Sequence, residues 1–130
     1  MRRATVRRAE GRCEYCQLSQ VGQEATFHID HVTPVAAGGP TTLENLALAC
    51  VSCSLKKGAR QTGTDPSSGE EAALFNPRGD VWLEHFEWSG PELVPLTAVG
   101  RALVSLLQLN RPILVSIRAE EQLLGRHPPE

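Results

Sequence analysis

No run of apolar residues in this chain is long enough to span a membrane. The basic opening, MRRATVRRAEGRC, is not followed by the apolar segment that a secretory signal requires. The expected compartment is therefore the reducing cytoplasm, where disulfides are rare. An excess of charge is missing too: a net of −2 over 130 residues argues against a generic binder of polyanions. No internal repeat is present, which leaves one domain of ordinary size or a small motif domain with an extension.

The small net charge hides two unlike halves. Residues 1–60 carry +3 and residues 61–130 carry −5, which leaves room for a basic face on the first half. A solvated surface of uneven charge is the plainer reading. Apolar content of 41% is enough for a core.

Cysteine is scarce but ordered. The four residues fall into two close pairs, Cys13-Glu-Tyr-Cys16 and Cys50-Val-Ser-Cys53. Each pair can close a tight turn that points two thiolates at one ion, and together they make the four-sulfur tetrahedral set of a structural Zn²⁺. Such a site is saturated, so its work is to hold the chain rather than to bind substrate. In so small a segment, metal binding can supply on the order of 10 kcal/mol of folding free energy. The competing reading is four free or redox-active thiols.

Local patterns sketch the rest. Residues 4–12 read as a short basic helix leading into Cys13. ATFHIDHV reads as a strand ending near His31, TPVAAGGPTTLEN as a loop and LALAC as a second strand. VSCSLKKGAR reads as a helix ending near Gly58. Residues 61–70 have the composition of a polar linker, which divides the chain into 1–60 and 71–130. Beyond it come a turn at FNPRGD and a hairpin around Ser89-Gly90-Pro91. A helix capped by Thr97 carries Val99, Ala102, Leu103, Leu106 and Leu107. A last helix is expected to be capped by Asn110, with Pro112 in its first turn and Gly125 after its end. The two helices bury their apolar faces against the hairpin, the first half, or a second copy of the chain in a homodimer. Trp82, Phe86 and Trp88 are either core or a stacking platform for bases.

The chemistry concentrates in HIDHVTP, residues 28–34. Asp30 and His31 are adjacent at a strand end, before a glycine-rich loop and Asn45. A carboxylate binds a hard divalent cation, and a neutral imidazole beside it can take a proton from water. Phosphodiester cleavage needs both functions. The alternative is a pair of core histidines with an aspartate capping the turn.

The ordered set Asp-His, Pro, Gly-Gly, Asn-Leu, Cys-x-x-Cys and Lys-Gly, preceded by CEYC, resembles the HNH endonuclease family in its four-cysteine form over residues 13–58. The resemblance implies an α+β chain whose first part is a ββα-metal finger. It implies Asp30 as a ligand of a catalytic Mg²⁺ or Mn²⁺, His31 as general base and Asn45 as the residue holding the base-bearing strand. Cys13, Cys16, Cys50 and Cys53 would bind structural Zn²⁺, and Lys56, Lys57 and Arg60 would lie near the phosphates of a DNA substrate. One position departs. Where the family usually places His or Asn after the second cysteine pair, this chain has Ser54, a weak neutral ligand that would act directly or through water. His28 shares a strand face with Asp30 and could replace the missing ligand, or simply pack locally. His85 and His127 lie outside the motif and read as structural or surface residues.

Overall fold

The computed structural model describes residues 1–129. Its chain divides into two compact units: Met1–Gln61 with Asn76–Asp80, and Thr62–Phe75 with the chain from Val81 onward. Among the described residues no helix is long and apolar enough to cross a membrane.

The first unit opens with α1, Arg2–Arg8. It is held by its arginines: Arg2 donates to Phe27 O at 2.8 Å, and Arg8 donates to Leu43 O at 2.8 Å and Leu46 O at 2.6 Å. Strand β1, His28–His31, pairs antiparallel with β2, Leu46–Ala49, so that Asp30 faces Ala47 and His31 faces Leu46 across the ladder. All of β2 is buried. Helix α2, Val51–Lys57, follows at once, with the Cys50 sulfur accepting from Cys53 N as its cap. It ends at Gly58, whose φ of +53° is a backbone region that side chains disfavour. The order strand, strand, helix beside clustered thiols is consistent with a ββα-metal arrangement.

The long connection between β1 and β2 is built on one amide. Asn45 Oδ1 accepts from Thr33 N at 2.8 Å, and its Nδ2 donates to Thr33 O at 3.0 Å and Pro40 O at 2.9 Å. The amide is buried and both ends are matched, so replacing it would strand backbone groups at about 1–3 kcal/mol each. The adjacent glycines serve different needs. Gly38 has φ +85°, while a Cβ on Gly39 would stand 1.8 Å from Thr33 O.

In the second unit, β3 (Thr62–Thr64) pairs with β4 (Glu71–Ala73), and β5 (Phe86–Ser89) pairs with β6 (Glu92–Pro95) after the short helix α3 (Trp82–His85). Helix α4, Ala98–Leu107, is capped by Thr97, whose hydroxyl accepts from Gly100 N, and α5 spans Pro112–Leu123. Phe75, Phe86, Leu93, Ala102, Leu103, Leu107, Leu109 and Leu114 are all buried, and Asp65, Arg118, Glu121 and His127 are buried among the polar residues of the unit. Phe75 meets Trp82 and Phe86 edge-on at 5.5 and 5.4 Å, so the aromatic residues form a cluster.

Three local expectations change here. Residues 61–70 are not a plain linker, because they carry β3 and the turn of a hairpin. Its turn residue Asp65 is buried and bonded to Arg101 at 2.9 and 3.0 Å, a partnership invisible in polar composition. Asn110 does not cap α5. Arg111 holds that place, and Asn110 instead exchanges two bonds with the backbone of Leu93, at 2.8 and 2.7 Å. The segment from 71 onward is interrupted, since Asn76–Asp80 belongs to the first unit.

Candidate metal centre and cleavage site

The thiol cluster is built from two knuckles of the same design. In the first, Cys16 N donates to Cys13 Sγ at 3.4 Å, and Gln17, at φ +65°, turns the chain so that its N–H reaches Cys13 O. In the second, Cys53 N donates to Cys50 Sγ at 3.4 Å as α2 begins. All four sulfurs lie within 4.8 Å of one another and are buried. The sulfurs of Cys16 and Cys50 are 3.8 Å apart, close to the roughly 3.8 Å edge of a tetrahedron with Zn–S bonds of about 2.3 Å. The set fits Zn²⁺. Hydrogen bonds from the other three thiols pull Cys50 far below the ordinary thiol range, whereas hydrogen bonds within the cluster push Cys16 and Cys53 up.

Glu14, inside the first knuckle, fixes it to the sheet. Its N–H donates to Leu48 O and its carboxylate accepts from Leu48 N, both at 2.8 Å. Its other oxygen is paired with Arg78. The NPRGD segment is thereby tied to the zinc knuckle, a link across 64 residues that no local pattern announces.

Asp30 is 8% exposed. The Tyr15 hydroxyl donates to its Oδ2 at 2.7 Å, and Lys57 Nζ lies 3.2 Å from the same oxygen and 3.5 Å from Oδ1. Burial first, and then the neighbouring carboxylate, raise the Tyr15 phenol well above its usual range, so it stays a donor. Lys57 also donates to His31 O at 3.2 Å and Val32 O at 3.3 Å. Expected beside a substrate phosphate, Lys57 is 2% exposed, and its ammonium is engaged inside the unit. Removing one partner of such a buried pair costs about 3–5 kcal/mol.

His31 ends β1 half-buried, with Nε2 2.9 Å from Thr41 Oγ1. Neighbours on a pleated strand leave on opposite faces, and the partners of Asp30 and His31 differ accordingly. What joins the two residues is Lys57, bonded to the side chain of one and the carbonyl of the other. Asn45, through Thr33, holds the chain just beyond them. Ser54 is half-buried on α2, one turn before Lys57. His28 is exposed on the strand, whereas His85 and His127 bond to Thr97 Oγ1 and Gly90 O in the other unit. Lys56 reaches Ser52 Oγ at 3.2 Å, and Arg60 is exposed.

A cleft of about 460 Å³, lined by Arg2, Val6, Gln20, Gln23, Thr26 and Leu48, includes none of these residues. Tyr15, Glu14 and Arg78 are the contributors that sequence reasoning missed. The position of Tyr15 between two metal-ligand cysteines was the available signal.

Residues 13–60 match the family model described as HNH endonuclease. No curated protein and no solved structure matches the chain. The thiol cluster, the β-β-α order and the Asp-His strand end all fall within the matched stretch. Residues 13–60 are thus similar to the HNH endonuclease family, and the same stretch holds four cysteines positioned to bind a metal.

Proposed function

We propose that the chain is a metal-dependent endonuclease that hydrolyses DNA phosphodiester bonds at the end of β1. The observation that carries this reading is a half-buried imidazole, His31, at the end of β1, next in sequence to a fixed carboxylate, Asp30, in a stretch matching the HNH model whose β1–β2 loop is locked by Asn45. His31 Nε2 takes the proton from the attacking water, with Thr41 Oγ1 orienting the ring. Asn45 keeps the backbone after His31 in one conformation, so the imidazole does not have to be ordered during the reaction. Lys56 and Arg60, on and after α2, supply positive charge for the phosphate backbone.

Asp30 fits a hard cation through one oxygen. Oδ2 is covered by Tyr15 and Lys57, whereas Oδ1 has only the 3.5 Å contact. One carboxylate oxygen suffices for Mg²⁺ or Mn²⁺, which keeps several waters, and Ser54 would add a hydroxyl directly or through one of them. When bound, such a cation stabilises charge on the phosphoryl and leaving oxygens.

A second reading, a zinc-stapled nucleic-acid-binding module with weak or no turnover, is favoured by two observations. Ser54 is a poor ligand, and the Lys57 ammonium beside Asp30 opposes a second positive charge there. Supercoiled, linear and single-stranded DNA incubated with the chain in Mg²⁺, Mn²⁺, Ni²⁺ or Zn²⁺ separates the two readings. The nuclease predicts nicking in Mg²⁺ or Mn²⁺ that stops with EDTA. Retarded but intact DNA under every condition would establish the binder instead.

A further inference from the structure

Tyr15 lies between Cys13 and Cys16, is fully buried, and donates its hydroxyl to Asp30 Oδ2 at 2.7 Å. Lys57 closes the last turn of α2, the helix that Cys50 caps, and its Nζ lies 3.2 Å from the same oxygen. One donor lies inside a cysteine knuckle, and the other on the helix that starts at the second. Their arrangement is one-sided: Oδ2 has two close donors, while Oδ1 has a single contact at 3.5 Å.

We infer that Tyr15 and Lys57 are positioning residues that clamp Oδ2 of Asp30 and leave Oδ1 as the oxygen presented to the cation, so that the zinc cluster governs the cleavage site through Tyr15. The inference rests on the nuclease reading for what Oδ1 is presented to. A carboxylate otherwise rotates about its Cβ–Cγ bond, and a short hydrogen bond to an ionised oxygen is among the stronger restraints a protein can place on it. The ring that carries this hydroxyl cannot move without its own backbone, which the flanking cysteines and the Glu14–Leu48 bonds hold. Lys57 adds a second restraint at the strand end through the carbonyls of His31 and Val32. Partners that orient a ligating group typically change metal affinity by about 10–100-fold when removed. The competing explanation is that Tyr15 only fills the core, which its ring does without the hydroxyl.

Tyr15→Phe separates the two, since it keeps the ring and deletes the hydroxyl. Mn²⁺ binding to the zinc-loaded full chain, followed by electron paramagnetic resonance, should weaken by about tenfold while zinc stays at one per chain. The Mn²⁺ concentration for half-maximal nicking should rise by the same factor. Unchanged Mn²⁺ affinity in the variant, or no Mn²⁺ binding by the wild type, overturns the inference. If affinity is unchanged while His31→Ala still abolishes nicking, the positioning role falls and the nuclease stands. If affinity drops while the wild type never cuts, the reverse holds. A probe independent of any change at Tyr15 exists, because the chain has a single tyrosine. A ¹³Cζ label gives one resonance, which Mg²⁺ should shift in the wild type and leave unmoved in Asp30→Asn. A resonance that ignores Mg²⁺ in the wild type also overturns the proposal.

Discussion

The two units of this chain solve the same problem with different chemistry. The second buries Phe75, Phe86 and a leucine set from β6, α4 and α5, and its stability is mainly the removal of apolar surface from water. The first has fewer large apolar side chains inside and buries Tyr15, Asp30, Asn45, Lys57 and all four thiols. Polar groups are costly to bury unless each has its partner. Here Asp30 has Tyr15 and Lys57, Asn45 has three backbone partners, and the thiols have a geometry suited to one ion. A unit held this way fixes a buried carboxylate and a half-buried imidazole in place, and its thiol cluster makes it the unit expected to depend on a metal. The second unit also buries Asp65, Arg118, Glu121 and His127, but all four cysteines lie in the first.

The sharpest way to break this comparison is to remove zinc. The single tyrosine lies in the first unit and both tryptophans in the second, so aromatic signals in near-ultraviolet circular dichroism report on each separately. A strong chelator, or Cys50→Ser, should abolish the Tyr15 signal, since the ion supplies on the order of 10 kcal/mol. The tryptophan signals should persist. Joint loss of both would show that the second unit also leans on the metal.

A smaller effect probes the second unit through the half-buried ion pair of Asp65 and Arg101. The fork of Arg101 is the main cause, with Ser67 N–H adding to it, that holds Asp65 at about 2, below the ordinary 3.8. A carboxyl depressed in the folded state stabilises above its unfolded value, and that stabilisation is lost as pH falls through the folded one. Asp65→Asn should therefore lower the tryptophan-monitored melting temperature at neutral pH. The gap from wild type should close between about pH 4 and pH 2. A gap constant over that window would mean that the pair contributes nothing through its charge.

The contrast also explains what the sequence revealed and what it withheld. Cys-x-x-Cys spacing, the Gly-Gly pair, the Ser-Gly-Pro turn and the Thr97 cap are local devices, so each could be read where it stands. The roles of Lys57 and Tyr15 could not, because each depends on meeting Asp30 from 27 or 15 residues away. Lys57 looks like a surface cation on a basic helix until the fold turns that face inward. Residues 61–70 look like a linker for the same reason: what orders Asp65 is Arg101, 36 residues on. Asn110 reads as a cap from its place before Pro112, yet its amide matches the open backbone of Leu93 instead.

Catalysis by the imidazole at the end of β1 is tested most directly by plasmid nicking with purified, zinc-loaded His31→Ala beside the wild type in Mg²⁺ and Mn²⁺. Loss of a general base typically costs about 10²–10⁴-fold in rate. The nuclease account predicts a loss of that size, with zinc content and the Tyr15 signal unchanged. Nicking that continues at the wild-type rate in a clean preparation would contradict it.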